Sequence, residues 1–218
     1  MKRILVISIV IFITSYTYSQ NEEPVDTTWK TGGLSSLTFS QVSLYQWSAG
    51  GEPSLSGAAL LNLFANYAKG KESWENSLDL GYGLIKQGDL TKKSNDRIEF
   101  TSQYGHTASE NWNYSGVINF RTQFTDGYDY PNDSVKISTF LAPGYLTGSV
   151  GMNYKPNDKF SAFLSPVGGK MTFVLDDSLS AEGQFGVEEN KKFRAELGAY
   201  VRLSYKASLM ENVNLGTK

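Results

Sequence analysis

The chain has 218 residues, enough for one domain with a sizeable core, and its 22 acidic residues against 20 basic ones give a net charge of −2. That balance argues against a nucleic-acid partner, and the absence of cysteine together with a single histidine excludes disulfides, thiolate metal sites and His-rich metal centres. Charged residues make up only 19%, against about 25% in ordinary soluble domains, while 13 Tyr, 12 Phe and 4 Trp make the chain rich in aromatics.

Met1-Lys2-Arg3 is a short basic start, followed by an apolar run from Ile4 to Ile13 broken only by Ser8. Small residues at Thr17 and Ser19 sit at the −3 and −1 positions of a cleavage site. This pattern predicts a secretory signal over residues 1–19, with a mature chain from about Gln20. A run of about ten residues is too short to span a bilayer, and no cysteine follows to carry a lipid anchor. Cleavage removes two cations and no acids, leaving 18 against 22, a mature charge of −4.

Residues 20–33 are polar and read as a flexible periplasmic leader; the domain proper is expected over 34–218. From Leu34 the chain breaks into segments of alternating character, the signature of half-buried strands. Leu34 to Tyr45 and Ser54 to Ala68 alternate imperfectly. Ser73 to Ile85 is cleaner, with Trp74, Leu78, Leu80, Tyr82 and Leu84 opposite Glu75, Ser77 and Asp79. Ile98 to Thr107 is weaker. In Trp112 to Phe124 and Tyr145 to Lys155 an apolar and aromatic face again opposes a polar one. Lys159 to Ser165 is short, and Pro166 confines it to an edge, a bulge or a strand end. The clearest segment is Arg194 to Lys206: Leu197, Val201 and Leu203 share one face, while Arg194, Glu196, Arg202 and Lys206 share the other. Ile137 to Pro143 and the stretch after Pro166 carry no clear period.

Links alternate in length. Lys69-Gly70-Lys71, Ser109-Glu110-Asn111, Pro156-Asn157-Asp158 and Met210-Glu211-Asn212 are short; Trp47–Pro53, Lys86–Arg97, Thr125–Lys136 and Asp176–Lys192 are long. An outer-membrane barrel sorts its connections this way, with tight periplasmic turns and longer outer loops. Aromatic rings near the segment ends suit the two membrane interfaces. The expected fold is therefore all-β: an antiparallel up-and-down transmembrane β-barrel of eight strands with a ninth beginning at Val213. Single-chain barrels close with an even number of strands, so the expectation is a chain that lacks its C-terminal part.

Four stretches carry a resemblance: SLTFSQVSLYQWSAGGE (Ser36 to Glu52), LLNLFANYAKGKESWENSLDLGYGLIKQG (Leu60 to Gly88), QFTDGYDYPNDSVKISTFLAPGYLT (Gln123 to Thr147) and MNYKPNDKFSAFLSPVGGK (Met152 to Lys170). Over residues 29 to the end the sequence resembles an uncharacterised family of Gram-negative outer-membrane proteins, domain of unknown function 3078. That family usually carries Asn where Gln46 stands, and its members continue past Lys218. The resemblance implies an outer-membrane barrel without an established activity or catalytic residues.

The residues themselves suggest no catalytic, cofactor or metal set. His106 is the only candidate for histidine chemistry, as in a lipid-modifying enzyme of the outer membrane. Its parity with Ile98, Phe100 and Tyr104 places it instead on the outside of the wall. The opposite face gathers Glu75, Asp79, Glu99, Arg121, Arg194, Glu196, Arg202 and Lys206 as lumen residues, with Glu99 and Arg121 able to pair. A barrel near this size has an interior largely filled by side chains. Asp126 to Asp133 gathers three carboxylates and two tyrosines, yet lacks the spacing of a calcium loop. Asn132-Asp133-Ser134 matches a sequon, and Gly168-Gly169-Lys170 is too incomplete for a phosphate loop. Trp47, Gly50, Gly51 and Glu52 form a candidate rim loop, a lid first and a ligand contact second.

The expected protein is a monomeric barrel without enzymatic chemistry, structural or a narrow solute passage or binding barrel. Its partners would be outer-membrane lipid and the barrel-assembly machinery. The competing reading is a soluble secreted β-sandwich that binds carbohydrate, which requires the Leu197/Val201/Leu203 face to be buried between sheets.

Overall fold

A computed structural model describes residues 28–45, 50–157, 159–210 and 213–217, with side chains through residue 205. The signal segment and Trp47 lie outside the described residues. The chain is all-β and antiparallel. Its strands are β1 (Trp29–Val42), β2 (Ser54–Lys69), β3 (Glu72–Gln87), β4 (Leu90–Thr107), β5 (Trp112–Thr122), β6 (Gly127–Tyr128), β7 (Lys136–Ser138), β8 (Gly144–Asn157), β9 (Phe160–Phe173), β10 (Phe193–Met210) and β11 (Val213–Thr217). Nine form one sheet in the order β1-β2-β3-β4-β5-β8-β9-β10-β11, and β6 pairs only with β7. A short helix, α1 (Asp177–Ala181), interrupts the β9–β10 connection.

The alternating segments and the strands coincide, with four informative differences. First, β1 starts at Trp29, inside the stretch read as leader, because Trp29 pairs with Tyr67 and its ring packs at a tilt against the Tyr67 ring, 5.2 Å between centroids. Second, Lys86 to Arg97 is not a long link: β3 and β4 continue as a hairpin with only Gly88 and Asp89 between them, Gly88 taking φ +56°. Alternation fails there because a bulge at Gly83/Leu84 shifts the register. Third, the unreadable Ile137 to Pro143 stretch belongs to the β6–β7 ribbon and its exit turn. Fourth, β9 runs on through Pro166, which sits in a bulge that shifts register against both β8 and β10. The extra residue reverses the parity, so no single period spans the strand. The Ser165 hydroxyl lies 2.8 Å from the Val150 and Val167 carbonyls, where the ladder is broken. Gly151 takes the crowding: a Cβ there would come within 2.1 Å of the Leu164 oxygen.

Directly opposed residues share a face, so the register converts strands into rows. One face carries Leu63–Leu78–Phe100–Phe120–Leu146–Met171–Ala195 and Trp29–Tyr67–Trp74–Tyr104–Gly116–Val150–Val167. The other carries Asn62–Asp79–Glu99–Arg121–Tyr145–Thr172–Arg194 and Asn66–Glu75–Gln103–Val117–Ser149. The sheet curls with the polar face inside. Arg202 on β10 donates to the Gln103 side-chain oxygen on β4 at 3.0 Å, although β5, β8 and β9 lie between those strands in the sheet. Residues of β2, β3, β4, β8, β9 and β10 together line a cavity of about 470 Å³.

The apolar face is therefore convex and bare: Leu197 is 90% exposed and Val201 62%. Among the described residues no second sheet covers it, which removes the sandwich arrangement. The buried apolar cluster lies elsewhere, in the long connections, where Ala142, Val174, Leu179 and Val187 pack with Phe185. Asp176 caps α1, accepting from the Ser178 and Leu179 amides, and pairs with Lys136 of β7. Two long loops are thereby knitted into one cap beyond the ends of β8, β9 and β10.

Candidate functional site: the polar concave face

Glu75, Asp79, Glu99, Arg121, Arg194, Glu196 and Arg202 all fall on the concave face, because each occupies a polar position of an alternating strand. Lys206 lies in β10 opposite Gly216; its side chain is outside the described residues. The register adds Lys30, Arg97, Lys155 and Lys170. The named residues alone put seven described cations and four carboxylates on the concave face of a chain that is net acidic.

The side chains form a cross-linked lining. Asn62 donates to Asp79, and Asn119 donates to Glu99 at 2.8 Å and to Thr101 at 2.9 Å. Glu99 and Arg121 stand opposite each other, as the spacing suggested, yet they do not pair. Arg97, two residues before Glu99 on the same side of β4, takes that carboxylate, with its Nε 2.9 Å away. The Arg121 guanidinium instead lies over the Tyr145 ring, 5.3 Å from its centroid, and the Lys170 ammonium lies 4.8 Å from the same centroid. Arg194 pairs with Glu196 at 2.8 Å and donates to the Gly186 carbonyl of the cap. Arg202 rests over Phe163, which is 1% exposed.

Sequence reasoning missed Tyr145, Lys170 and Arg97. Tyr145 shares parity with Thr147 and Ser149, so its inward position was readable from the alternation. Lys170 follows the bulge, and Arg97 was assigned to a loop.

The remaining candidates disperse. His106 is exposed on the convex face, between Glu72 and Tyr114 in the register, at the short-turn end. In the Asp126–Asp133 loop the Asn132 side chain accepts the Ser134 amide at 2.9 Å, and Tyr128 and Tyr130 meet edge to face. Among the described residues, no three acidic or histidine side chains gather as a metal site. Gly168-Gly169-Lys170 lies within β9. In the rim loop, Gly50 and Gly51 adopt φ +87° and +114°, conformations natural only to glycine, and Glu52 is exposed.

Residues 39–128 match the model of a family described as Protein of unknown function (DUF3078), a span that runs from the end of β1 into β6. No curated protein and no solved structure matches the chain. The similarity is thus to a family without an assigned activity.

Proposed function

We propose that this chain is exported to the outer membrane of a Gram-negative cell and forms the wall of a transmembrane β-barrel. In this reading it acts without enzymatic chemistry, as a narrow solute passage or binding barrel. The observation that carries the reading is the inverted distribution of polarity: along the middle of the strands the curled sheet keeps its charges inside and presents rows of Leu, Ile, Val and Phe outward, with convex charges such as Glu72 and Asp96 confined to the ends of the wall. In water such a face would be covered or would aggregate; in lipid it is the favourable surface.

Two further features support it. Aromatic pairs mark both ends of the wall: Trp29–Trp74 and Trp112–Tyr154 near the short turns, Tyr82–Phe124 and Phe173–Phe193 near the long loops. Trp74 to Tyr82 spans roughly 26 Å along β3, about 20 Å of height at a tilt near 40°, close to the usual apolar band of about 25 Å. Three polar side chains on the convex face also pair within the protein. Trp74 Nε1 donates to Ser102 Oγ at 2.8 Å, Ser102 donates to Asn76 at 2.8 Å, and Asn76 donates to the Ala65 carbonyl at 3.1 Å. A lipid-facing wall needs such pairing, because hydrocarbon offers no partner.

Closure into a barrel with an even number of strands would satisfy the outer edges of β1 and β11, and the partners would be outer-membrane lipid and the assembly machinery that inserts such walls. The test is to express the exported chain, fractionate the cells, wash the outer membrane with urea and compare gel mobility with and without boiling. Urea-resistant membrane recovery with a heat-dependent mobility shift is expected. Recovery in the soluble periplasm or medium would refute the proposal.

A further inference from the structure

We propose that the concave face binds a soluble oxyanion, a phosphate- or carboxylate-bearing solute, at Arg121 and Lys170 near the long-loop end. The proposal rests on the barrel reading for its aqueous interior, but its geometry is local. Arg121 and Lys170 converge on one ring, Tyr145, at 5.3 and 4.8 Å from its centroid. The carboxylates nearest to them in register are Glu99, opposite Arg121, and Glu196, opposite Lys170. Both are diverted to an arginine of their own strand, Glu99 to Arg97 and Glu196 to Arg194. Among the described residues neither Arg121 nor Lys170 forms an ion pair.

The pairs Arg97–Glu99 and Arg194–Glu196 leave Arg121 and Lys170 over, while Asp79, opposite Glu99, accepts from Asn62. The two cations left over are fixed by an aromatic face that orients them without neutralising them. A guanidinium held over a ring face keeps N–H donors free for an oxyanion, the groups with which arginine binds carboxylate and phosphate. Space exists beside Arg121, where a cavity of about 430 Å³ is lined by Asn95, Arg97, Arg121, Gln123 and Tyr145; Lys170 lies outside that lining, against the same Tyr145 ring. Asp96 also borders that cavity, but its carboxylate is already occupied by Lys93 and the Phe124 and Thr125 amides. The cations face the interior rather than the apolar wall, which favours a dissolved anion over a lipid headgroup.

The test is calorimetric titration of the chain, folded in neutral detergent at low ionic strength, with inorganic phosphate. Saturable binding is expected, weakened about tenfold or more in the double variant Arg121→Gln/Lys170→Gln, since two charged donors are lost. Lys71→Gln, exposed in the short turn between β2 and β3, should change it less than about twofold. Glu196→Gln frees Arg194 and should tighten binding, which keeps the proposal testable if the double variant does not fold. Equal binding by the double variant, or weaker binding by Glu196→Gln, would overturn the site. So would the absence of saturable binding by wild-type protein that shows the heat-dependent mobility shift. A chain that stays in solution without detergent would instead refute the barrel while leaving the phosphate titration to judge the site.

Discussion

Leu197→Lys distinguishes a wall in lipid from a wall in water. Leu197 is 90% exposed, so its side chain packs against almost nothing in the protein, and its replacement removes little internal burial. In water, a surface substitution of this kind stays within roughly 0.5 kcal/mol of wild type. On a lipid-facing strand the same lysine costs roughly 2–4 kcal/mol near the bilayer midplane, falling toward zero at the interfaces. Depth follows from the strand. Leu197 lies four residues from Phe193 and eight from Tyr205, roughly 13 Å and 26 Å along β10, between the two aromatic ends. The expected loss is thus a factor of about 30 to 1,000 in the folding equilibrium. Equilibrium urea titration into phospholipid vesicles, read by the heat-dependent mobility shift, measures it directly. A Leu197→Lys chain that folds within about 0.5 kcal/mol of wild type would refute the outward, lipid-facing register of β10.

Gly151→Ala places a Cβ 2.1 Å from the Leu164 oxygen at the β9 bulge; overpacking of this kind costs roughly 1–3 kcal/mol, visible as a lower urea midpoint. Leu179→Ala should cost roughly 2 kcal/mol, at the low end for a buried leucine because its cluster is small, and hydrogen exchange should rise in the cap while β3 and β4 stay protected. The Lys136 ammonium and the Ser178 hydroxyl hold the Asp176 carboxyl well below its ordinary value of 3.8. A depressed carboxylate stabilises the fold above its unfolded pKa and loses that contribution as pH falls through the depressed one. Cap protection should therefore be flat from pH 5 to 8 and drop only in strong acid, whereas a loss between pH 5 and 6 would contradict the Lys136–Asp176 pair. The same pair raises Lys136 above 10.5, so its contribution persists through neutral pH and fades only in strong alkali.

The strands were legible because period two is a local property: in β3, β5 and β10 the apolar and polar sets separate without knowledge of any neighbour. Legibility failed where an extra residue broke the period, at Gly83/Leu84 and around Pro166, and where strands left the two-faced environment, as in the β3–β4 hairpin beyond Ile85. The cap was unreadable for a different reason. Ala142, Val174, Leu179 and Val187 come from separate connections, and nothing periodic ties them together.

The sequence alone determined that the chain is all-β, how its strands alternate and which residues share each face, because a strand's side chains point to opposite sides whatever the strand pairs with. Tertiary structure decided which face is concave, through the curl that carries Arg202 to Gln103. It also decided which charges cancel. Opposition in register suggested a Glu99–Arg121 pair, but Arg97, on the same strand and the same face as Glu99, reaches that carboxylate first and leaves Arg121 to Tyr145. Pairing among long side chains depends on reach across a curved surface, and spacing along one strand does not encode that curvature.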